Sequence, residues 1–327
     1  MIITRTPFRI SFFGGGTDYP IYYNENGGSV LSATINKYCY ITCRYLPPFF
    51  KHKYLIRYSK TETVNSIDEI MHPSVRECLK FLNIKEGLEI VYTADVPAMS
   101  GIGSSSSFTV GLLNALYALK GQMVSKRKLA YDAIHVEQNM IKEHVGSQDQ
   151  VAASFGGFNR INFGGTEGIF VQPITLTQEK KQYLEDSLLF YFTGFARFSS
   201  DIAKEQIKQT PNKLNELSFL KEMVEKSIYI LNGNLESYND FGLLLNEAWK
   251  IKRSLTSKIS NSTIDQIYEI GLSAGALGGK ICGAGGGGFI IFFVPSDRKD
   301  FVKTKLNKYM NVPFWFENIG THVIHYS

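Results

Sequence analysis

Residues 96–107 read Val-Pro-Ala-Met-Ser-Gly-Ile-Gly-Ser-Ser-Ser-Ser, and apolar residues follow at helical spacing from Phe108 through Leu112 to Leu116. Glycine lets a ligand approach the backbone closely, and a helix N-terminus offers unpaired N–H groups and the positive end of the helix dipole. Serine hydroxyls cap helices and also serve as oxygen ligands for Mg²⁺. The stretch therefore predicts either a nucleotide phosphate site or simply a well-capped helix after a tight turn.

Two further glycine clusters lie beside candidate strands. Gly14–Gly16 end an N-terminal β-like run, and Gly283–Gly288 lead into the apolar run FIIFFV at 289–294. Neither standard phosphate-binding motif explains them, because the sequence contains no G-x-x-x-x-G-K-[ST] and no G-x-G-x-x-G in a clear βαβ unit. A single glycine-rich loop is explained by a turn. Three such loops beside candidate strands favour a site where their backbones converge on a ligand.

The order of elements predicts an α+β protein rather than a regular βαβ alternation. β-like runs with intervening helices occupy the first half of the 327 residues, a helical pattern extends over 198–276, and β-like residues return after it. In the helical part, Leu217, Leu220 and Val224 begin a core-facing stripe. At roughly 100–200 residues per domain, the length suggests about two domains. We place them at residues 1–180 and 181–327.

Composition limits the class of protein and of partner. The chain is 44% hydrophobic and 20% charged, has a formal net charge of +5, and carries no dense basic run. This small positive excess suits an anionic small molecule rather than nucleic acid. The 4 cysteines do not make a disulfide framework, so Cys39 and Cys43 are predicted to be buried reduced thiols. With no apolar leader and no run long enough for a bilayer, we expect a soluble cytoplasmic protein without a membrane partner. A homodimer is compatible with the sequence.

Three motifs resemble, in order and spacing, those of the GHMP small-molecule kinases, which include galactokinase, homoserine kinase, mevalonate kinase and phosphomevalonate kinase. The motifs are PFRISFFGGGTDY at 7–19, VPAMSGIGSSSS at 96–107 and CGAGGGGF at 282–289, and together they frame nearly the whole chain. The resemblance implies a fold of two α+β domains with ATP bound between them and Mg²⁺ as the accompanying cation. It also implies that the residues holding ATP are Gly101, Gly103, Ser104, Ser105, Ser106 and Ser107.

The same resemblance implies roles for individual residues. Gly-Ser-Gln-Asp-Gln at 146–150 is similar to the galactokinase segment that carries the catalytic aspartate, which corresponds to Asp149. Arg9 falls where galactokinases carry an arginine beside that aspartate. Glu137 matches the Mg²⁺-coordinating glutamate of the family, and Ser105 matches its serine partner. Without the motifs, Glu137 would be interpreted as a solvated helix acid and Asp149 as a helix cap in a loop. The residues expected to bind the substrate are Gly15, Gly16, Thr17, Asp18, Gly285 and Gly286.

The substrate is predicted from departures within the first motif. Galactokinases carry Glu-His where this chain has Gly15-Gly16, and isoprenoid kinases lack the Thr-Asp-Tyr segment. The form FGGGTD most resembles the family branch that phosphorylates the anomeric hydroxyl of D-glycero-D-manno-heptose 7-phosphate. Two missing side chains suit such a larger, already phosphorylated sugar. Arg197, between Gly194 and a helical stretch, is the candidate for the sugar's phosphate, with contact to ATP or a plain surface position as the alternatives.

Other functions stay open on the sequence. The protein could be another GHMP sugar 1-kinase of galactokinase or fucokinase type, an isoprenoid kinase, or a catalytically inactive relative that senses a sugar or a nucleotide. The presence of Asp149, Glu137 and Ser105 argues against the inactive relative. In the predicted reaction, Asp149 takes the proton from the attacking sugar hydroxyl while Asp18 holds other hydroxyls of the sugar.

Overall fold

The computed structural model describes residues 1–97, 100–165, 168–195 and 199–327. The mixture of helices and strands confirms the α+β class. The strands are β1 (Ile2–Phe13), β2 (Gly28–Tyr45), β3 (Tyr54–Arg57), β4 (Thr61–Val64), β5 (Leu88–Ala94), β6 (Phe158–Phe163), β7 (Ile169–Pro173), β8 (Leu188–Phe192), β9 (Gly278–Ile281), β10 (Phe289–Phe293), β11 (Met310–Asn311) and β12 (His322–Tyr326). The α-helices are α1 (Pro20–Asn26), α2 (Pro73–Phe81), α3 (Ser104–Leu119), α4 (Lys126–His135), α5 (Gln148–Phe155), α6 (Gln178–Ser187), α7 (Ser199–Gln209), α8 (Leu214–Asn232), α9 (Tyr238–Ser254), α10 (Ser262–Ser273) and α11 (Lys299–Lys305).

The first sheet is built on β2, which pairs with β1 along one edge and with two different strands along the other. Residues 28–33 of β2 pair with β6, and residues 39–45 pair with β5. The order β12-β1-β2-β5-β3-β4 is antiparallel except between β3 and β5, and β7 pairs with β6. β12 thus joins the same sheet as β1 although it falls after residue 180 in the sequence. The division into 1–180 and 181–327 stays a prediction.

The second sheet, in the order β11-β8-β10-β9, is antiparallel throughout. Every residue of β10 is buried, so its sequence is continuously apolar instead of alternating. Phe12 and Phe13 of β1 pack edge-on against Phe241 of α9, with ring centroids 5.6 and 5.1 Å apart. Phe241 also meets Phe293 of β10 at 6.2 Å. One hydrophobic core therefore continues from the first sheet through α9 to the second.

Several local predictions are confirmed by the fold. The apolar pattern after Gly103 forms α3, and Ser125 caps α4 by accepting a hydrogen bond from the Lys128 N–H at 3.2 Å. Cys39 and Cys43 are buried free thiols. In the parts of the chain that the structure describes, every helix is too short or too polar to cross a bilayer.

Candidate active site

A cavity of about 450 Å³ lies where the three glycine clusters meet. Gly101 and Gly283 touch through their backbones, because a Cβ on Gly101 would lie 2.5 Å from the Cys282 carbonyl oxygen. A Cβ on Gly283 would lie 2.4 Å from the Gly101 carbonyl oxygen. The φ angles of the two glycines are 80° and 70°, a region that L side chains rarely adopt. Glycine is therefore needed at this crossing, and the predicted convergence of the clusters is observed.

Arg9 and Asp149 form a bidentate ion pair at the cavity wall. Arg9 Nε donates to Asp149 Oδ1 at 2.7 Å, and Nη2 donates to Oδ2 at 2.8 Å. The third nitrogen, Nη1, donates to the Gly101 carbonyl at 2.9 Å, which ties the pair to the glycine-serine loop. Arg9 comes from buried β1, whereas Asp149 lies in the first turn of α5 with its side chain 23% exposed. The guanidinium fork fixes the direction of a carboxylate that a ligand in the cavity can still reach.

The first turn of α3 lines the cavity with Ser104, Ser105 and Ser106. In an α-helix the first N–H groups have no acceptor within the helix, and its N-terminus attracts anions. Gly103, which precedes the helix with a φ of 76°, brings this turn close to Asp149, since a Cβ there would lie 3.3 Å from Oδ2. Ser107 is buried instead, and its hydroxyl donates to the Pro7 carbonyl at 3.0 Å. That hydrogen bond holds α3 against β1.

Glu137 lies in a single π-helical turn, Val136–Met140, that follows α4, and it is completely buried. Its Oε2 accepts hydrogen bonds from the Ser106 hydroxyl at 2.8 Å and from the Gln150 side-chain amide. Burial raises the pKa of Glu137 to about 7, although hydrogen bonds to the carboxylate act in the opposite direction. The serine that contacts Glu137 is therefore Ser106, while Ser105, its predicted partner on Mg²⁺, lies one residue earlier and faces the cavity.

The residues around Glu137 fit a small hard cation. Glu137 Oε1 is buried and has no hydrogen-bond partner among the described residues, so the carboxylate has unused capacity. Carboxylate and hydroxyl oxygens are ligands that Mg²⁺ takes, usually beside waters and substrate phosphates. In the described part of the chain, no three His, Cys, Asp or Glu side chains group into a site made wholly of protein ligands. Glu137, Ser105 and Ser106 are thus the residues that could hold Mg²⁺ here.

Asp18 lies in the turn after β1, is 2% exposed, and borders the cavity. Its Oδ1 accepts from the Gly16 N–H at 2.9 Å, and its Oδ2 accepts from the Gln148 side-chain amide at 3.0 Å. Burial raises the pKa of Asp18, and the nearby charge of Asp149 raises it further, while those hydrogen bonds lower it. Gly146 packs directly on this carboxylate, because a Cβ there would lie 1.9 Å from Oδ2. The segments 14–18 and 146–150 are therefore joined at Asp18.

Thr17, a predicted substrate-binding residue, has a structural role in the turn beside Asp18. Its hydroxyl donates to the Gly14 carbonyl at 2.8 Å and to the Ser29 carbonyl at 2.9 Å, and the residue is fully buried. Gly15, Gly16 and Asp18 line the cavity, whereas Thr17 does not. Arg197, the candidate for the sugar's phosphate, lies outside the described residues.

Gly285 and Gly286, also predicted to bind the substrate, lie against the loop after α9. A Cβ on Gly285 would lie 2.6 Å from the Ile259 carbonyl oxygen, and the Gly286 N–H donates to the same oxygen at 2.8 Å. From this glycine cluster, Gly283 and Ala284 line the cavity instead.

Lys252 lines the cavity but belongs to none of the three motifs. It lies in α9, is 6% exposed, and its Nζ donates to the Gly283 carbonyl at 2.6 Å. Burial lowers the pKa of Lys252 to about 8, and the charge of Asp18 acts against that shift. One signal in the sequence points to it. Lys252 continues the helical face of Leu245 and Trp249, and a cation on an apolar stripe is rarely accidental.

The cavity also has an aromatic part, formed by Tyr58, His72, Tyr92 and Phe108. His72 stacks on Phe108 with ring centroids 4.6 Å apart. Tyr58 meets His72 edge-on at 4.8 Å, and Tyr92 meets Phe108 edge-on at 5.2 Å. Phe108 lies about one helical turn beyond Ser104, so the aromatic part adjoins the N-terminus of α3. These rings suit the binding of a planar heterocycle. The sequence motifs do not predict this aromatic part, because its residues come from separate segments of the chain.

Comparison with known proteins shows the family and the fold of this chain. A family model described as GHMP kinases N-terminal domain matches residues 70–157, and one described as GHMP kinases C-terminal matches residues 229–312. The D-glycero-alpha-D-manno-heptose 7-phosphate kinase of Campylobacter jejuni is 29% identical, with 91% of each chain covered. The L-fucokinase/L-fucose-1-P guanylyltransferase of Bacteroides fragilis is 25% identical over 94% of this chain and 36% of its own. A crystal structure of a D-glycero-D-manno-heptose 1-phosphate kinase from Bacteroides thetaiotaomicron has the same fold, with a TM-score of 0.78 at 24% identity and both chains fully covered.

Proposed function

Since the chain belongs to the GHMP kinases, which transfer a phosphoryl group from ATP, we propose that its acceptor is the anomeric hydroxyl of D-glycero-D-manno-heptose 7-phosphate. The product is then the 1,7-bisphosphate. The observation that carries the proposal is the bidentate Arg9–Asp149 pair, held at the cavity wall beside the first turn of α3. The similarity to the Campylobacter jejuni heptose 7-phosphate kinase supports this choice of sugar.

Asp149 acts as the general base in the proposed reaction. It accepts the proton of the anomeric hydroxyl as that oxygen attacks the γ-phosphorus of ATP. The bond between this phosphorus and the bridging oxygen breaks as the new P–O bond forms, so ADP leaves and the proton stays on Asp149 until solvent removes it. Arg9 keeps the carboxylate in one orientation through its two hydrogen bonds, and phosphoryl transfer depends mainly on such positioning.

The nucleotide is placed by two adjoining parts of the cavity. The triphosphate lies on the first turn of α3, where backbone N–H groups offset its charge. The base stacks within the aromatic part formed by Tyr58, His72, Tyr92 and Phe108. Glu137 and the adjacent serines would hold Mg²⁺, which would supply positive charge to offset that of the phosphate oxygens.

The sugar lies between Asp149 and the side-chain-free segment Gly15–Gly16. Asp18 accepts hydrogen bonds from sugar hydroxyls, and its carboxylate is kept in place by the Gly16 N–H and the Gln148 amide. The absence of a side chain at Gly15 leaves its volume to a substrate longer than a hexose, whereas at Gly16 the corresponding volume is filled by the Gln206 side chain.

An assay of ADP release with a panel of acceptors tests this proposal. The panel contains D-glycero-D-manno-heptose 7-phosphate, the same heptose without phosphate, galactose, L-fucose and mevalonate. We expect the highest kcat/KM for the heptose 7-phosphate and no turnover of mevalonate. An equal or higher kcat/KM for galactose or L-fucose would contradict the substrate, and no turnover of any sugar would favour the inactive relative.

A further inference from the structure

Polar side chains border the cavity wall beside Gly15. A Cβ on Gly15 would lie 3.7 Å from Lys252 Nζ, 3.7 Å from Ser11 Oγ and 4.0 Å from Gln148 Nε2. These are ordinary van der Waals contact distances, so a Cβ would fit at Gly15 without a clash. We call this part of the cavity the Gly15 subsite, and it is bounded by Gly15, Ser11, Gln148, Gln206 and Lys252.

Buried polar atoms of the Gly15 subsite have no partner in the described chain. They are Ser11 Oγ, Gln148 Oε1 and Gln206 Nε2, and the three residues are only 3%, 8% and 4% exposed. Buried polar groups are nearly always hydrogen-bonded in folded proteins, because leaving one unpaired is costly. The hydroxyl and the amide nitrogen can donate, whereas the amide oxygen accepts. A ligand that completes this set carries hydrogen-bond acceptors and at least one hydroxyl.

The positive charge of Lys252 beside the Gly15 subsite also lacks a partner of opposite charge. Lys252 Nζ donates to the Gly283 carbonyl, and no carboxylate of the described residues forms an ion pair with it. Arg9 is already paired with Asp149 through two hydrogen bonds. Lys280 donates to the Ser11 and Phe12 carbonyls, and burial lowers its pKa well below the usual value, which favours the neutral amine. Lys252 is therefore the cation of this wall that has no carboxylate in ion-pair contact among the described residues. A buried charge is costly unless it is paired, so an anionic group of a ligand would stabilise this arrangement.

We propose that Lys252 binds the phosphate that the sugar substrate already carries, with the Ser11 hydroxyl and the Gln206 amide as further donors to its oxygens. The inference rests on the proposed function and assigns the Gly15 subsite to the phosphorylated end of the sugar. Gln148 donates to Asp18 through Nε2, so its free Oε1 accepts from a sugar hydroxyl. Lys252 thereby determines specificity for a phosphorylated acceptor, the role that the sequence suggested for Arg197.

Kinetics of Lys252→Met test this role with two acceptors, D-glycero-D-manno-heptose 7-phosphate and the same heptose without phosphate. Methionine keeps the length of the side chain and removes the charge. We expect KM for the heptose 7-phosphate to rise about ten- to a hundredfold, as for the loss of a charge-assisted hydrogen bond. KM for the unphosphorylated heptose and for ATP should stay within about twofold. The matched control is Lys250→Met, an exposed lysine two residues away on the same helix, which should behave as the wild type.

The outcomes separate the inference from the proposed function. If the wild type prefers the heptose 7-phosphate but Lys252→Met changes KM equally for both sugars, or for neither, the role of Lys252 is wrong and the proposed substrate stands. If the wild type phosphorylates the heptose and not its 7-phosphate, the proposed substrate is wrong, and the inference fails with it.

A second pair of variants decides the matter if Lys252→Met does not fold. Gly15 has room for a Cβ and does not adopt a positive φ, so Gly15→Asp and Gly15→Asn should both fold. The two new side chains have nearly the same size, but only aspartate places a negative charge beside Lys252. We expect KM for the heptose 7-phosphate to be at least about tenfold higher in Gly15→Asp than in Gly15→Asn, with little difference for the unphosphorylated heptose. Equal KM values for the phosphorylated sugar would overturn the inference.

Discussion

Asp149 combines a fixed orientation with access to the cavity, so its carboxylate should dominate the rate of phosphoryl transfer. We predict that Asp149→Asn lowers kcat by about 10²–10⁴-fold, because asparagine keeps the shape but cannot accept the proton. ATP affinity, measured by calorimetry, should stay close to that of the wild type. The control is Asp240→Asn, an exposed carboxylate in the first turn of α9, which should leave kcat unchanged. Wild-type turnover in Asp149→Asn would remove this residue from the mechanism.

The residues proposed to bind Mg²⁺ can be tested one by one. We predict that Glu137→Gln raises the half-saturating Mg²⁺ concentration by about tenfold or more, since the amide keeps the shape but loses the charge that attracts the ion. Ser105→Ala should raise it as well, by removing an oxygen ligand. Ser106→Ala removes the hydroxyl that donates to Glu137. Comparing its Mg²⁺ titration with that of Ser105→Ala distinguishes the loss of this hydrogen bond from the loss of an oxygen ligand. If Glu137→Gln and Ser105→Ala both leave the Mg²⁺ titration unchanged, other residues hold the ion.

The protonation of Lys252 should limit the use of phosphorylated acceptors at alkaline pH. Burial lowers its pKa to about 8 in the free protein. The surrounding charged and titratable groups are Asp18, Arg9, Asp149, Cys282 and Lys280. Below this pKa the ammonium is charged and attracts the phosphate dianion, and above it the neutral amine does not. We therefore predict that kcat/KM for the heptose 7-phosphate falls as the pH rises through about 8.

Two comparisons isolate the contribution of Lys252 to that pH profile. The unphosphorylated heptose should show no fall that depends on Lys252, because it has no anionic group to lose its partner. Lys252→Arg should shift the fall to higher pH, since a guanidinium stays protonated throughout this range. A profile that is the same in the wild type and in Lys252→Arg would show that another group titrates.

At the scale of structural elements, the loops that contain Gly101 and Gly283 cross through backbone contacts rather than through side chains. Gly121, at the end of α3, has a φ of 67° with nothing within 4 Å of its Cβ position, whereas Gly283 has a φ of 70° and backbone atoms 2.4 Å away. An alanine in this left-handed region costs roughly 1–2 kcal/mol at either position. We predict a clearly larger loss of unfolding free energy for Gly283→Ala than for Gly121→Ala in urea titrations. Equal losses would mean that the loops separate easily.

Local signals explain which elements could be predicted from the sequence. Gly103, in the left-handed conformation, marks the start of α3, where no serine side chain forms the cap that the sequence suggests. Ser125 marks the start of α4 and does cap it. Both signals depend only on neighbouring residues. The glycine clusters mark close backbone approach for the same local reason. The functional pairing of Arg9 with Asp149 required a family resemblance, since their 140-residue separation carries no signal of contact.

The remaining parts of the site depend on tertiary packing. Ser106, rather than Ser105, faces Glu137 because of the rotation of α3 relative to the π-helical turn, and adjacent serines give no hint of that rotation. Gly285 and Gly286 look like the rest of their cluster, yet they serve the packing against Ile259. Lys252 was recognisable only as a cation on an apolar helical face, which predicts burial but no ligand.

At the scale of the whole molecule, β12 returns to the first sheet at a distance from Arg9 along β1. Its contribution to stability can therefore be measured apart from any effect on activity. β12 pairs with residues 2–5 of β1, whereas Arg9 lies beyond that pairing and is opposite Thr34 of β2. Deleting residues 322–327 therefore removes the neighbour of one edge of β1 and leaves the segment that carries Arg9 within the sheet. The cavity is lined by residues between Arg9 and Ala284, and none of them belongs to β12.

We predict that this deletion lowers the thermal unfolding midpoint and promotes aggregation but keeps kcat, measured well below that midpoint, within about threefold of the wild type. Several backbone hydrogen bonds are lost, each worth about 0.5–1.5 kcal/mol net, and the exposed edge of β1 can then pair with another chain. The measurements are calorimetry, light scattering and steady-state kinetics on the same preparation. Val323→Ala, which keeps the strand and trims one side chain opposite Thr4, is the control and should not aggregate. A large loss of kcat in the well-folded deletion variant would show that β12 supports the site through β1, because the strand that carries Arg9 would then need both of its neighbours to hold the Asp149 carboxylate in position.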